Sequence, residues 1–277
     1  MLALDLYRDK LNESSCQCPL CTFLQSTELN AKNLRLWASQ FKPTFAVHGR
    51  QEDAEDFLRV LIDKCLNLSI LAHFDTKETK ICTVCNRKAN LEVEELNRGI
   101  KSCPIENEFQ YENTADMIKR TLPVNKFCSG CHSMNSEGTG VSHKVIETYT
   151  RLPQVHFVSS KRFNADQTKI TNRVYPSPIL EIDEVTYYLK AVIKHNGGLE
   201  GGHYNTAVNM ETLWVNCDNS KEIRITDETS SDEYLFFYET SPLNLSIELH
   251  ESLEAAFAAQ RDDFLTSHLA NEKIFKL

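Results

Sequence analysis

The sequence predicts an α+β chain: helices first, a cysteine-knuckle segment in the middle, and a strand-rich C-terminal half. Three observations carry this. Phe57, Leu58, Leu61, Ile62, Cys65 and Leu66 recur at helical spacing after Gln51. Two C-x-x-C knuckles follow, Cys82–Cys85 and Cys128–Cys131. Beyond Arg151, short apolar runs alternate with Gly, Asn and Asp clusters, the pattern of strands joined by turns.

Residues 1–47 hold Cys16, Cys18 and Cys21 and a helix predicted over Ala31–Gln40. A second helix is predicted from Gln51 to Asn67. Glu52, Asp53, Glu55 and Asp56 load its first turns, where the helix dipole favours negative charge. Residues 77–150 read as strands and loops around the knuckles. Strands are predicted at Val155–Val158, Tyr187–Ile193, Tyr204–Val208, Leu213–Cys217 and Tyr234–Tyr238. An amphipathic helix is predicted from Glu248 to Leu269, with Leu253, Phe257, Phe264 and Leu265 on one side.

With 277 residues, 41% apolar and 25% charged, the chain has globular composition and can bury a core. Its formal charge of −9 opposes nucleic-acid binding and suits a partner with basic segments. Asp5, Arg8, Asp9 and Lys10 interrupt the early apolar run, so no signal peptide is read. No stretch approaches the roughly 18 apolar residues of a membrane span. Ten cysteines in such a chain point to metal or free thiols rather than disulfides, and to cytoplasm or nucleus.

Each knuckle can place two thiolates on one tetrahedral ion, and the pair completes a four-cysteine structural zinc site. Four reduced thiols are the alternative. Cys128–Cys131 followed by His132 also fits a haem-attachment signature, opposed by the partner knuckle and the missing export signal. Cys16, Cys18 and Cys21 have only His48 nearby as a further ligand and read as buried thiols. Near the C-terminal end, Gly201-Gly202-His203-Tyr204 and Trp214-Val215-Asn216-Cys217-Asp218 set an imidazole and a carboxylate at the ends of neighbouring apolar segments. A histidine oriented by a carboxylate supplies two parts of a nucleophile–base–orienter triad.

Taken in order, several segments resemble the ubiquitin-specific proteases. Gln51-Glu-Asp-Ala-Glu-Asp-Phe-Leu58 is similar to that family's Gln-box, and the knuckles sit where it carries a fingers zinc ribbon. The run Leu152–Phe163, ending Lys-Arg-Phe, and Tyr188–Gly198 with Gly201–Tyr204 resemble its later blocks, as do Trp214–Asp218 and Glu233–Glu239. The resemblance covers roughly residues 15–240. It implies a papain-like fold of helical thumb (1–76, incomplete), zinc-ribbon fingers (77–150) and antiparallel palm (151–240), followed by a helical extension at 241–277.

The resemblance further implies a thiol protease that cleaves after the C-terminal glycine of ubiquitin, with structural zinc on Cys82, Cys85, Cys128 and Cys131. His203 would be the general base and Asp218 its orienter, with Asn219 as the alternative. Gln51, Asp53, Asp56, Gly201, Gly202 and Tyr204 would hold the ubiquitin tail. A Gly-Gly tail can thread a channel too narrow for side chains. Asp53 and Asp56, three apart on one helix face, would meet the arginines upstream of it. A solvated acidic first turn is the alternative, and Asp56 stands where the family usually has the longer Glu. His195 and His156 lack comparable flanks.

The family's nucleophile lies in a box resembling Gly-Asn-Thr-Cys at the start of a helix that lowers the thiol pKa. No such segment is found here. Cys16 and Cys21 lack its neighbours, and Cys217 occupies a structural slot. The chain is therefore expected not to hydrolyse ubiquitin unless extended N-terminally, and residues 1–40 are expected to be poorly ordered without the thumb helix. A non-catalytic ubiquitin-binding or scaffold module is the alternative. A zinc-ribbon nucleic-acid binder is opposed by the charge.

Overall fold

The computed structural model describes residues 18–25, 31–46, 52–88, 95–106, 111–120, 123–131, 140–199, 201–209, 214–218, 221–224 and 232–240. Helices α1 (Pro19–Gln25), α2 (Ala31–Phe41), α3 (Ala54–Lys64) and α4 (Leu66–Ala72) come first. Then follow β1 (Phe74–Cys82), β2 (Glu95–Arg98), β3 (Ile100–Pro104), β4 (Tyr111–Asn113), α5 (Thr114–Lys119), β5 (Val124–Lys126) and β6 (Val141–Arg151). The remainder is β7 (Val155–Lys161), β8 (Arg173–Tyr175), β9 (Ile179–Ile182), β10 (Val185–Gly198), β11 (Gly201–Asn209), β12 (Trp214–Asp218), β13 (Lys221–Arg224) and β14 (Glu233–Glu239).

An eight-stranded sheet runs β13-β12-β11-β10-β14-β7-β3, with β9 also on β10. Its pairs are antiparallel except β3 with β7. A four-stranded sheet, β2-β1-β6-β5, carries the knuckles at its far end. The segment 77–150 thus divides between the sheets. Its β3 joins the large one, and Met117 and Ile118 of α5 pack against that sheet's other face.

Strand β14 shows why the large sheet is central. Every residue in it is buried, because alternate side chains serve two cores. Leu235 and Phe237 face α1 to α4, meeting Leu20, Trp37, Leu58, Leu61 and Leu68. Phe236 and Tyr238 face the opposite cluster with Val174, Leu180 and Val192. The α+β expectation holds, and each strand expected after Arg151 is present within a residue or a few of its expected ends.

Two expectations are corrected. The single helix over Gln51–Asn67 is two helices. Asp53 caps the first by accepting from the Glu55 and Asp56 amides, and Cys65 breaks the axis with extended φ −111 and ψ 107. Poor order over residues 1–40 does not hold for 18–25 and 31–40. There Trp37 Nε1 donates to Pro19 O at 2.6 Å, and its ring meets Phe41 and Phe57 edge-on. Aromatic packing and the buried Leu20 and Cys21 anchor α1 and α2 on the core. The helix expected over Glu248–Leu269 lies outside the described residues.

Candidate active site

Strands β11 and β12 bring the imidazole and carboxylate together. Thr206 stands opposite Cys217, so His203 and Asp218 lie diagonally across the pair and on one face. His203 Nε2 contacts Asp218 Oδ1. A carboxylate only accepts, so Nε2 carries the proton of this contact, and in the neutral ring Nδ1 keeps the lone pair that a base needs. Both side chains are partly open to solvent. Among the described residues Nδ1 has no partner, and no cysteine sulfur lies within hydrogen-bonding distance of His203. Cys217 points the other way, against the helical core.

On that helical side, Tyr204 stacks on His195 with ring centroids 4.5 Å apart. Its hydroxyl reaches the start of α3. Burial, then the charge of Asp53, pushes it up to about 12. Tyr234 donates to both Asp53 oxygens at 2.9 and 2.8 Å. Asp53, exposed like Asp56, is therefore also the cap of α3 and Tyr234's acceptor. Asp56 is exposed on the first turn. The structure thus gathers Asp53, Asp56 and Tyr204 beside the β10–β11 hairpin. Gln51 and Asn219 lie outside the described residues.

The hairpin glycines have a local reason. Gly197 adopts φ +126, and a Cβ there would sit 2.6 Å from Gly201 O. A Cβ on Gly202 would strike Asn196 O and come 2.6 Å from His195 Nε2. Glycine is what lets the two strands close at the register Gly198–Gly201, and it leaves this rim free of side chains. His195 and His156 are buried and structural. Burial, then Lys101, pushes His156 down to about 3, so it is neutral at pH 7.

Sequence reasoning overlooked the acid that holds α3 to the sheet. Glu55 accepts from Ser159 Oγ, from Arg59 and, at 2.9 Å, from Lys161 Nζ. Burial would raise its carboxyl, but these hydrogen bonds and the Lys161 charge outweigh it and hold the group below its ordinary 4.5. The stabilisation is therefore full above about pH 4.5 and is lost as pH falls through the lower folded value. Glu55→Gln is expected to cost about 2 kcal/mol at pH 7. Urea titrations at pH 7 and near pH 3 should show the wild-type advantage shrinking in acid.

The four knuckle thiols converge. All four sulfurs lie within 4.8 Å of one another, with Cys82–Cys131 at 3.9 Å and Cys85–Cys128 at 3.6 Å. A tetrahedral zinc with Zn–S about 2.3 Å needs sulfur–sulfur edges of about 3.8 Å. The residues fit a structural metal ion.

Comparison with known proteins turns on one finding. The sequence model described as ubiquitin carboxyl-terminal hydrolase matches residues 12–238. The chain belongs to that family. Within it, the chain is similar to a probable ubiquitin carboxyl-terminal hydrolase of Acanthamoeba polyphaga mimivirus, 26% identical over 167 residues, covering 51% of this chain and 34% of that protein. It is also similar to ubiquitin carboxyl-terminal hydrolase 27 of Mus musculus, 26% identical over 130 residues, 46% of this chain and 29% of the relative. A probable ubiquitin carboxyl-terminal hydrolase 8 of Schizosaccharomyces pombe is 28% identical over 144 residues, 48% of this chain and 31% of the relative. The chain spans about a third or less of the length of these relatives. The fold is that of the family's ubiquitin-specific protease members, papain-like, with the four-cysteine cluster able to form its zinc ribbon.

Proposed function

We propose that this chain is a ubiquitin-recognising domain of the ubiquitin-specific protease type. It takes the C-terminal tail of ubiquitin between the start of α3 and the β10–β11 hairpin. Gly201 and Gly202 give the tail backbone a bare rim, Tyr204 forms the wall, Gln51 is a further tail contact, and Asp53 and Asp56 meet the basic residues upstream. His203 is the general base and Asp218 its orienter, with Asn219 the alternative. These 277 residues alone do not cleave, because among the described residues no thiol stands beside the base to be activated. Zinc on Cys82, Cys85, Cys128 and Cys131 is structural. The net charge of −9 fits a protein partner rather than nucleic acid, and the reduced cysteines fit the cytoplasm or nucleus.

The observation that supports this reading best is the His203–Asp218 contact one strand position from Tyr204, itself set against the acidic start of α3. Calorimetric titration with ubiquitin, and with ubiquitin lacking its Gly-Gly end and adjacent arginine, tests it. The truncated form is expected to bind at least tenfold more weakly. Asp56→Lys is expected to weaken intact ubiquitin roughly threefold to tenfold, an effect that shrinks in salt. Equal affinity for both forms of ubiquitin would remove the tail from the account.

A further inference from the structure

A third C-x-x-C, Cys18-Pro-Leu-Cys21, opens α1 and plays no part in the site above. The fold brings Cys65, from the break between α3 and α4, against it. The sulfurs of Cys18, Cys21 and Cys65 all lie within 4.8 Å of one another. Cys21 and Cys65 are fully buried with sulfurs 3.7 Å apart, and Cys18 is half-buried. That separation is close to a tetrahedral zinc edge of about 3.8 Å. It is far longer than the roughly 2.05 Å of a disulfide. It also falls between the two knuckle edges, 3.6 and 3.9 Å.

Two donors already aim at these sulfurs. The Cys21 amide points at Cys18 Sγ from 3.5 Å, the contact a metal knuckle makes across its own loop. Asn67 Nδ2 lies 3.7 Å from Cys21 Sγ, both groups being buried. Amide donors around a thiolate ligand fix its orientation and offset its charge.

We infer that Cys18, Cys21 and Cys65 bind a second structural zinc ion, three thiolates pinning α1 to the α3–α4 junction. Water completes the coordination on the side of half-buried Cys18. Binding converts three thiols to thiolates and releases their protons. The ion ties the first helix to the core through side chains 44 residues apart in sequence. The site is independent of the knuckles and of ubiquitin recognition.

Metal analysis of the reduced 277-residue chain tests it, with Cys82, Cys85, Cys128 and Cys131 all replaced by serine in one variant. That variant leaves the proposed ligands intact and is expected to keep one zinc equivalent per chain, against two in the wild type. Cobalt loaded into the same variant is expected to show thiolate-to-metal charge transfer, lost on adding Cys65→Ser. Cys21→Ser in the otherwise wild-type chain is expected to lower zinc from two equivalents to one. A four-serine variant that folds but binds no zinc or cobalt would overturn the inference. So would a cobalt spectrum unchanged by Cys65→Ser.

Discussion

Chelating zinc from the reduced protein is expected to melt the far end of the β1–β6 sheet. Replacing any one of Cys82, Cys85, Cys128 and Cys131 by serine should do the same. The reason is the poverty of the local core. The apolar cluster there holds just Cys82, Cys128 and Val141 among the described residues, with Cys85 and Cys131 packed beside them. Two of those three are themselves proposed ligands. Hydrophobic burial of this size stabilises by only a few kcal/mol, whereas structural zinc contributes on the order of 10 kcal/mol in small zinc domains. Limited proteolysis should then cut between Thr83 and Gly140 while the large sheet stays protected. Far-ultraviolet circular dichroism should fall only in part, since β14, β10 and β7 draw on other cores.

The second large effect is expected at Arg162, the middle residue of the Lys-Arg-Phe run. Its guanidinium is 1% exposed, as is Glu233, its acidic partner at 3.7 Å. Nε donates to Glu233 O at 2.6 Å, and Nη1 donates to Ile170 O at 3.2 Å and Asn172 O at 2.8 Å. One planar fork thus ties the end of β7 to the start of β14 and to the loop before β8. Removing it takes a buried cation from beside the Glu233 carboxylate, which also has the Lys194 ammonium at 3.7 Å. It also leaves three carbonyls without this donor. Arg162→Ala is expected to cost about 3–5 kcal/mol, the range for breaking a buried ion pair from one side. Arg162→Lys should recover little, because an ammonium cannot span the carbonyls a guanidinium reaches. Equilibrium urea denaturation of the two variants measures both.

Much of this was legible in the sequence for definite reasons. Strands such as Tyr234–Tyr238 announce themselves by apolar runs between turn residues, and local spacing alone marks a C-x-x-C pair. His203 and Asp218 were legible because their blocks stand in family order, and the diagonal register of β11 and β12 confirms that they meet. What escaped was non-local. Tyr234 and Asp53 are separated by 181 positions, and Glu55 and Ser159 by 104, so no window of sequence relates them. Strand β3 belongs to the large sheet because Ile100 to Pro104 pair parallel with β7, which the nearby knuckles concealed. The helix break at Cys65 carries no glycine or proline to mark it. Cys65 itself gave no sign of its two thiol neighbours, having no second cysteine at knuckle spacing.

The most direct test uses a ubiquitin-derived electrophile whose C-terminal warhead traps a thiol next to a catalytic histidine. The reduced 277-residue chain is incubated with it and read by intact mass. With His203 poised but no sulfur beside its Nδ1 among the described residues, the mass is expected to stay that of the free chain. Plain ubiquitin should still bind the same sample. A covalent ubiquitin adduct, mapped by peptide sequencing to Cys16, Cys21, Cys217 or any other cysteine, would contradict the account.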